Sequence, residues 1–208
     1  MLKKYHIEIC QRALQSYFSP SALDAIIAAN IGQDHVRYQV RHPHFHFDSN
    51  AFKASNNYIE QQRQVVLDAL HTKEQPVPAW EAFGRLTHTA QDFYAHTNYI
   101  QLWLEAHSNA DVIPPSQIGA LDPEIIQHPN LHSGNIYLWD WLAFVPGFYS
   151  LALRLTPKDS HTHMNLDHPG RGEFFPYAFE AAVQRTVLEF EQIAGKLSIT
   201  EVAIFTNC

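Results

Sequence analysis

Residues 84–100, GRLTHTAQDFYAHTNYI, decide how the chain is read. His88, Asp92 and His96 fall at i, i+4 and i+8. Each step of four residues turns a side chain by only about 40° around a helix axis, so a helix here gathers all three into one inward-facing stripe. A single histidine in such a place is often a hydrogen-bonded core residue, but three groups in register weigh against that. A buried aspartate between two imidazoles needs compensating positive charge, which a divalent cation supplies directly. The spacing therefore predicts a helix that carries metal ligands.

The same periodicity extends outward. Proline at 76 and 78 suits a helix N-terminus, and the pattern predicts one long helix over 78–106. Ile7, Cys10, Leu14 and Phe18 recur at steps of three and four, giving a first helix over 2–18. Ser19-Pro20-Ser21 closes it and caps a shorter helix over 22–30. Further helices are expected over 51–70 and 175–197, the latter amphipathic. Residues 31–50 lack a helical period and read as an ordered loop, and 109–133 as a lid or a connection. The stretch 198–205 alternates weakly and reads as a strand or a docked tail. Strand signals are too few for a sheet, so the expected fold is an all-α bundle of about five main helices with long loops, one domain over 1–208.

Composition narrows the function. The chain has 14 histidines, as many as its Lys and Arg together, so imidazole is in use. A formal charge of -7 repels a phosphate backbone, and nucleic acid is not an expected partner. Cys10 and Cys208 are too few for a disulfide framework, and the first residues lack a secretory apolar run, which together predict a cytoplasmic protein. The most apolar stretch, 136–153, is broken by Asp140, Pro146 and Gly147 and does not read as a membrane span. Its aromatics, Trp139, Trp141, Phe144, Phe148 and Tyr149, read either as core or as an acyl or interface contact, which would limit membrane contact to a peripheral kind.

Three more places could supply ligands. In RHPHFHFDSN, residues 41–50, His42, His44 and His46 alternate, so an extended backbone sends them to one side. SHTHMNLDHPG, residues 160–170, clusters His161, His163, Asp167 and His168 before the last helix. His6 stands alone on the first helix. Imidazole and carboxylate without thiolate suit zinc, and equally manganese, iron or nickel. Glu-x-x-His pairs of a di-iron bundle, a nucleophile elbow and a Gly-rich phosphate loop are missing from the sequence.

LTHTAQDFYAHTNYI resembles the HTxQDFYxHSN core of Het-C-like proteins, a branch similar to the bacterial zinc-dependent phospholipases C. HIEICQRAL is similar to that family's His-x-x-Ile-x-x-x-Ala pattern, AANIGQD followed by HPHFHFD to its Asp and His ligand segment, and HTHMNLDHP to its HxxMNKD stretch. The resemblance implies about two or three zinc ions in a helical cleft, with phosphate oxygens of a substrate bound across them. It implies Asp34, His46 and His88 with Asp92 on one ion, His96 with His161 and Asp167 on a second, and His6 with Asp92 on a third, His44 and His163 being alternates. Asp92 would bridge, and Asp34 would orient or deprotonate a water. The phospholipases complete one zinc with the amino terminus of a processed Trp, whereas this chain begins MLKK. The implied activity is hydrolysis of a phosphodiester, either a small molecule or a phospholipid headgroup. The alternatives are a Het-C-like, toxin-associated interaction module stabilised by metal, and a metalloenzyme of another reaction type.

Overall fold

The computed structural model describes residues 1–35, 38, 42–73, 76–107, 113–145 and 147–207, with the side chains of Lys73 and Phe144 left out. Cys208 and part of the two predicted loops, 109–112 among them, lie outside the described residues. The fold is all-α: among the described residues, β pairing is limited to two isolated bridges, Thr97 with Ser133 and Asn135 with Ser160.

Five long helices make the bundle. Helix α1 (Lys3–Leu14) buries His6, Ile9, Cys10, Ala13 and Leu14, a stripe at three- and four-residue steps. Helix α2 (Pro20–Gly32) starts on Ser19, whose side chain accepts from the Ala22 amide, and it runs two residues further into the predicted loop than the sequence suggested. Helices α3 (Phe52–Lys73) and α4 (Pro76–His96) follow, and α9 (Phe175–Ala194) completes the set. Helix α4 is the axis: every residue from Leu86 to His96 is buried, and α2, α3 and α9 all pack against it. A helix buried on every side lies in the middle of a bundle, and here the polar part of its surface, Thr87, His88, Gln91, Asp92 and His96 among it, is buried with the rest. Gly84 allows α2 to lie close, since a Cβ there would collide with the Ile26 carbonyl oxygen and sit 2.7 Å from Ala29 Cβ.

The expected helix over 78–106 is broken. It stops at His96 and resumes as α5 (Tyr99–His107), because Thr97 and Asn98 pair with a distant loop. The Asn98 amide donates to the His132 carbonyl at 3.1 Å and its side-chain oxygen accepts from the His132 amide at 2.9 Å. The loop itself holds a short helix, α6 (Pro123–Ile126). Beyond it a 3₁₀ turn at Leu138–Phe144, then α7 (Tyr149–Leu155) and α8 (His161–Met164), form a small group packed on one another. Residues 198–205 are not a strand: the tail docks on the bundle as α10 (Ile199–Thr206). Ser198 and Glu201 make a reciprocal capping box that starts it, and Phe205 inserts between Phe18 and Phe83 at ring distances of 5.0 and 5.5 Å.

No helix of the described residues is long and apolar enough to cross a membrane.

The Gly84→Ala variant gains helix propensity but overpacks α2 against backbone that cannot yield, so a net loss of about 1–3 kcal/mol is expected in urea denaturation. An unchanged or raised midpoint would show that the α2–α4 contact is looser than described.

Candidate metal centre

Asp92 sits at the middle of the site with its side chain 1% exposed. One carboxylate oxygen, Oδ1, lies 2.6 Å from the Met1 amino nitrogen and 3.2 Å from His6 Nε2. The other, Oδ2, lies 2.8 Å from His46 Nδ1 and 3.1 Å from His88 Nε2. Asp34 Oδ1 approaches His88 Nε2 at 3.7 Å from the cleft side. On the far side His96 Nε2 lies 3.2 Å from Asp167 Oδ1, and the Met1 nitrogen is 3.1 Å from that same oxygen. Donor atoms fall into three sets whose members lie within 4.8 Å of one another: His6, His88 and Asp92; Asp34, His46 and His88; and Asp48, His96 and His161.

Each ligand-type side chain is held by local structure. The stripe on α4 supplies His88, Asp92 and His96, and α1 supplies His6. The Gln91 side-chain oxygen lies 2.6 Å from His6 Nδ1, and Gln91 is itself fixed by Asn30 at 3.2 Å and Thr186 at 3.1 Å. That contact assigns the proton to Nδ1 and leaves Nε2 facing Asp92, within 3.2 Å of a carboxylate oxygen yet without a hydrogen bond. His46 Nε2 and His88 Nδ1 are also buried without a hydrogen-bond partner. Unpaired imidazole nitrogens in a dry interior are costly unless something else takes their lone pairs, which fits a cation site.

The segment 43–50 is not extended as the alternation of histidines suggested. Pro43–Phe45 forms a 3₁₀ turn, and Phe47, Ser49 and Asn50 then adopt φ of 55°, 53° and 55°. Three non-glycine residues in the left-handed region mark a strained segment, held by Asn50 and Ser133 exchanging two hydrogen bonds of 2.8 Å. The twist aims His46 and Asp48 inward together. His44 instead packs on Phe45 and Tyr58, and His42 stacks on Phe45, so neither joins the cluster.

Asp48 was missed by sequence reasoning. It is buried, with Oδ1 2.8 Å from His161 Nδ1 and 3.4 Å from His96 Nδ1. The Asp48 carboxylate holds His161 through Nδ1, while the His46 carbonyl oxygen, 2.8 Å from His96 Nδ1, holds His96; each contact turns the ring's Nε2 inward, the arrangement by which such acceptors orient metal-bound imidazoles. Of the two late histidines, the structure brings in His161; His163 Nε2 lies 3.0 Å from the Leu153 carbonyl oxygen, on the other side of α8.

A cleft of about 240 Å³ opens onto this cluster, lined by Asp34, His46, Asp48, His96, His161 and Asp167 together with the apolar Leu2, Ile136 and Trp141. Cys10, also near Gln91, plays no comparable part: burial pushes its thiol up to about 11, so it stays protonated.

The charges respond to this crowding. Burial opposes charge on Asp92 and Asp167, but the Met1 amino group and the surrounding imidazoles outweigh it and hold both carboxyls below their ordinary range. Burial likewise opposes the Met1 ammonium, yet Asp167 and Asp92 raise it to about 11. Burial lowers His88 to about 4 despite Asp92, whereas Asp48 raises His161 to about 9 against its own burial.

Residues 5–124 match the family model described as the VWA7 N-terminal domain. The chain belongs to that family. The match contains His6, Asp34, His46, Asp48, His88, Asp92 and His96, and ends before His161 and Asp167, so the domain's late ligand-type residues lie beyond it. No curated protein and no solved structure matches the chain.

The shifted groups set a pH dependence for chelator-treated protein. His88, lowered to about 4, stabilises the fold only while neutral, so that contribution fades as pH falls below 6.5, followed by those of Asp92 and Asp167 at lower pH. His161, raised to about 9, stabilises while protonated, fully below pH 6.5 and not above about 9. The thermal midpoint measured by calorimetry is therefore expected to form a bell with its maximum near pH 6.5, and Asp48→Asn should flatten the alkaline limb. A midpoint still climbing above pH 9 would contradict the Asp48–His161 pairing.

Proposed function

We propose that the chain is a metal-dependent phosphodiester hydrolase similar to the zinc-dependent phospholipases C. The observation that carries this reading is the convergence of five imidazoles and four carboxylates, from α1, the end of α2, the 43–50 segment, α4 and the 161–167 segment, around the buried Asp92, with Asp34, His46, Asp48, His96, His161 and Asp167 lining one cleft beside it. A thiolate-free nitrogen and oxygen donor set of that size suits several closely spaced zinc ions. Bound divalent metal would polarise a phosphoryl group and lower the pKa of a water. His6, His46, His88, His96 and His161, with Asp92 and Asp167, would hold it.

The chain's own residues divide the remaining work. Asp92 presents both oxygens to different imidazoles and so is suited to bridge. Asp34, its side chain 24% exposed on the cleft wall, is open to solvent water, as is Asp167 at 21%; Asp167 is engaged by His96, and Asp34 would orient or accept the proton of the attacking water. Asp48 positions His161, and the His46 carbonyl positions His96. Leu2, Ile136 and Trp141 give the cleft its apolar lining.

The burial of Asp92 favours a second reading, in which metal serves chiefly to hold the bundle together for an interaction role. Metal content of the purified chain, measured by elemental mass spectrometry, together with hydrolysis of a chromogenic phosphocholine diester separates the two. The hydrolase reading expects roughly two or three zinc per chain, loss of metal and turnover in Asp92→Ala, and a fall of about 10²–10⁴ in kcat with metal retained in Asp34→Asn. Bound metal with no turnover of any phosphodiester, and a thermal midpoint that collapses with chelator, selects the structural role. Metal-free protein on purification from metal-supplemented medium overturns both.

A further inference from the structure

Of the 14 exposed large apolar side chains among the described residues, eight lie in the short stretch 138–155. Leu138 is 76% exposed, Trp139 48% and Phe148 47%, so the core reading of this aromatic segment does not hold. The 3₁₀ turn and α7 that carry these side chains pack on each other, and neither contributes a side chain to the main hydrophobic core. Their attachment is polar: the Asp140 carboxylate accepts from the Tyr137 and Thr162 amides at 2.6 and 2.9 Å, tying the turn to α8. The apolar face is thus mounted on the helix that carries His161. It also runs into the cleft, since Trp141 of the same turn and the exposed Leu2 line the cleft mouth.

Its charge differs from that of the molecule. The chain carries a formal -7, but the only acid within 138–158 is the buried Asp140, while Arg154 and Lys158 are exposed and Lys3 stands at the cleft mouth. Asp159, at the border, is engaged by Tyr137 and Asn135. Aromatic side chains with exposed faces, flanked by Arg154 and Lys158 against the single exposed acid Asp159 on an otherwise acidic protein, match the boundary between headgroups and acyl chains of an anionic bilayer.

We propose that the face formed by residues 138–155 docks on the surface of a phospholipid bilayer that bears anionic headgroups, and so presents the cleft to that surface. The proposal rests on the hydrolase reading only for what happens after docking. A second copy of the chain is the competing occupant of an apolar face.

The test is sedimentation of the full chain with vesicles of phosphatidylcholine alone and of phosphatidylcholine doped with phosphatidylserine. Binding is expected to be stronger to the doped vesicles and weakened by salt. Trp139→Ser and Phe148→Ser, neither of which lines the cleft, should each lower partitioning by roughly tenfold while the thermal midpoint and hydrolysis of a water-soluble phosphodiester stay unchanged. Arg154→Glu with Lys158→Glu should lower binding to the doped vesicles alone. No binding to either vesicle, equal binding by the serine variants, or concentration-dependent dimerisation abolished by Trp139→Ser would each overturn the proposal. Vesicle binding without any phosphodiester turnover would uphold docking and defeat the hydrolase reading, and soluble turnover without vesicle binding would do the reverse.

Discussion

A carboxylate in the middle of a helix bundle is the constraint on which the rest depends. Asp92 lies one turn before the end of the most deeply buried helix, where an ion without partners is expelled or neutralised. It is kept because positively charged or metal-binding groups are brought to it from every side: α1 delivers His6, the strained segment after α2 delivers His46, and α4 itself presents His88 and His96 one turn to either side. The bundle's topology can be read as the means of bringing these segments to one point. Gly84 serves the same end, since it lets α2 approach α4 two turns below Asp92 and brings Asn30 to Gln91.

A second layer of uncharged or single-purpose groups then decides which atoms face the centre. Gln91 is next to Asp92 in sequence and takes the other nitrogen of the same His6 ring, itself held by Asn30 and Thr186. Asp48 does for His161, and the His46 carbonyl for His96, what Gln91 does for His6. The strain at Phe47, Ser49 and Asn50 is the local cost of placing His46 and Asp48, two residues apart, in the same small volume, and it is offset by the paired bonds between Asn50 and Ser133.

How much of this could be read from sequence follows from the range of the interactions. Stripes at three- and four-residue spacing are local, so the long helices and the His88, Asp92, His96 register were legible. The break at Thr97 was not, because it depends on pairing with residues more than thirty positions away. Helix α10 was legible in principle, since Ser198 and Glu201 spell a capping box, but weak alternation in the residues after them pointed to a strand. Asp48 was hidden by the left-handed turn at Phe47, which no pattern of polarity announces. The sequence left open whether Trp139 and Phe148 are buried or exposed, because an aromatic run reads the same whether it faces a core or the outside.

The cluster draws on residues near both ends of the described chain, from Met1 and His6 to His161 and Asp167. This spread has a consequence for biosynthesis. During translation the first imidazoles leave the ribosome long before α8 does, and for that interval they are an open, incomplete set able to take whatever cation is at hand. Only when His161 reaches Asp48 and His96 do the three donor sets exist together. An ion that needed all three sets would therefore be taken up only after most of the chain had been made.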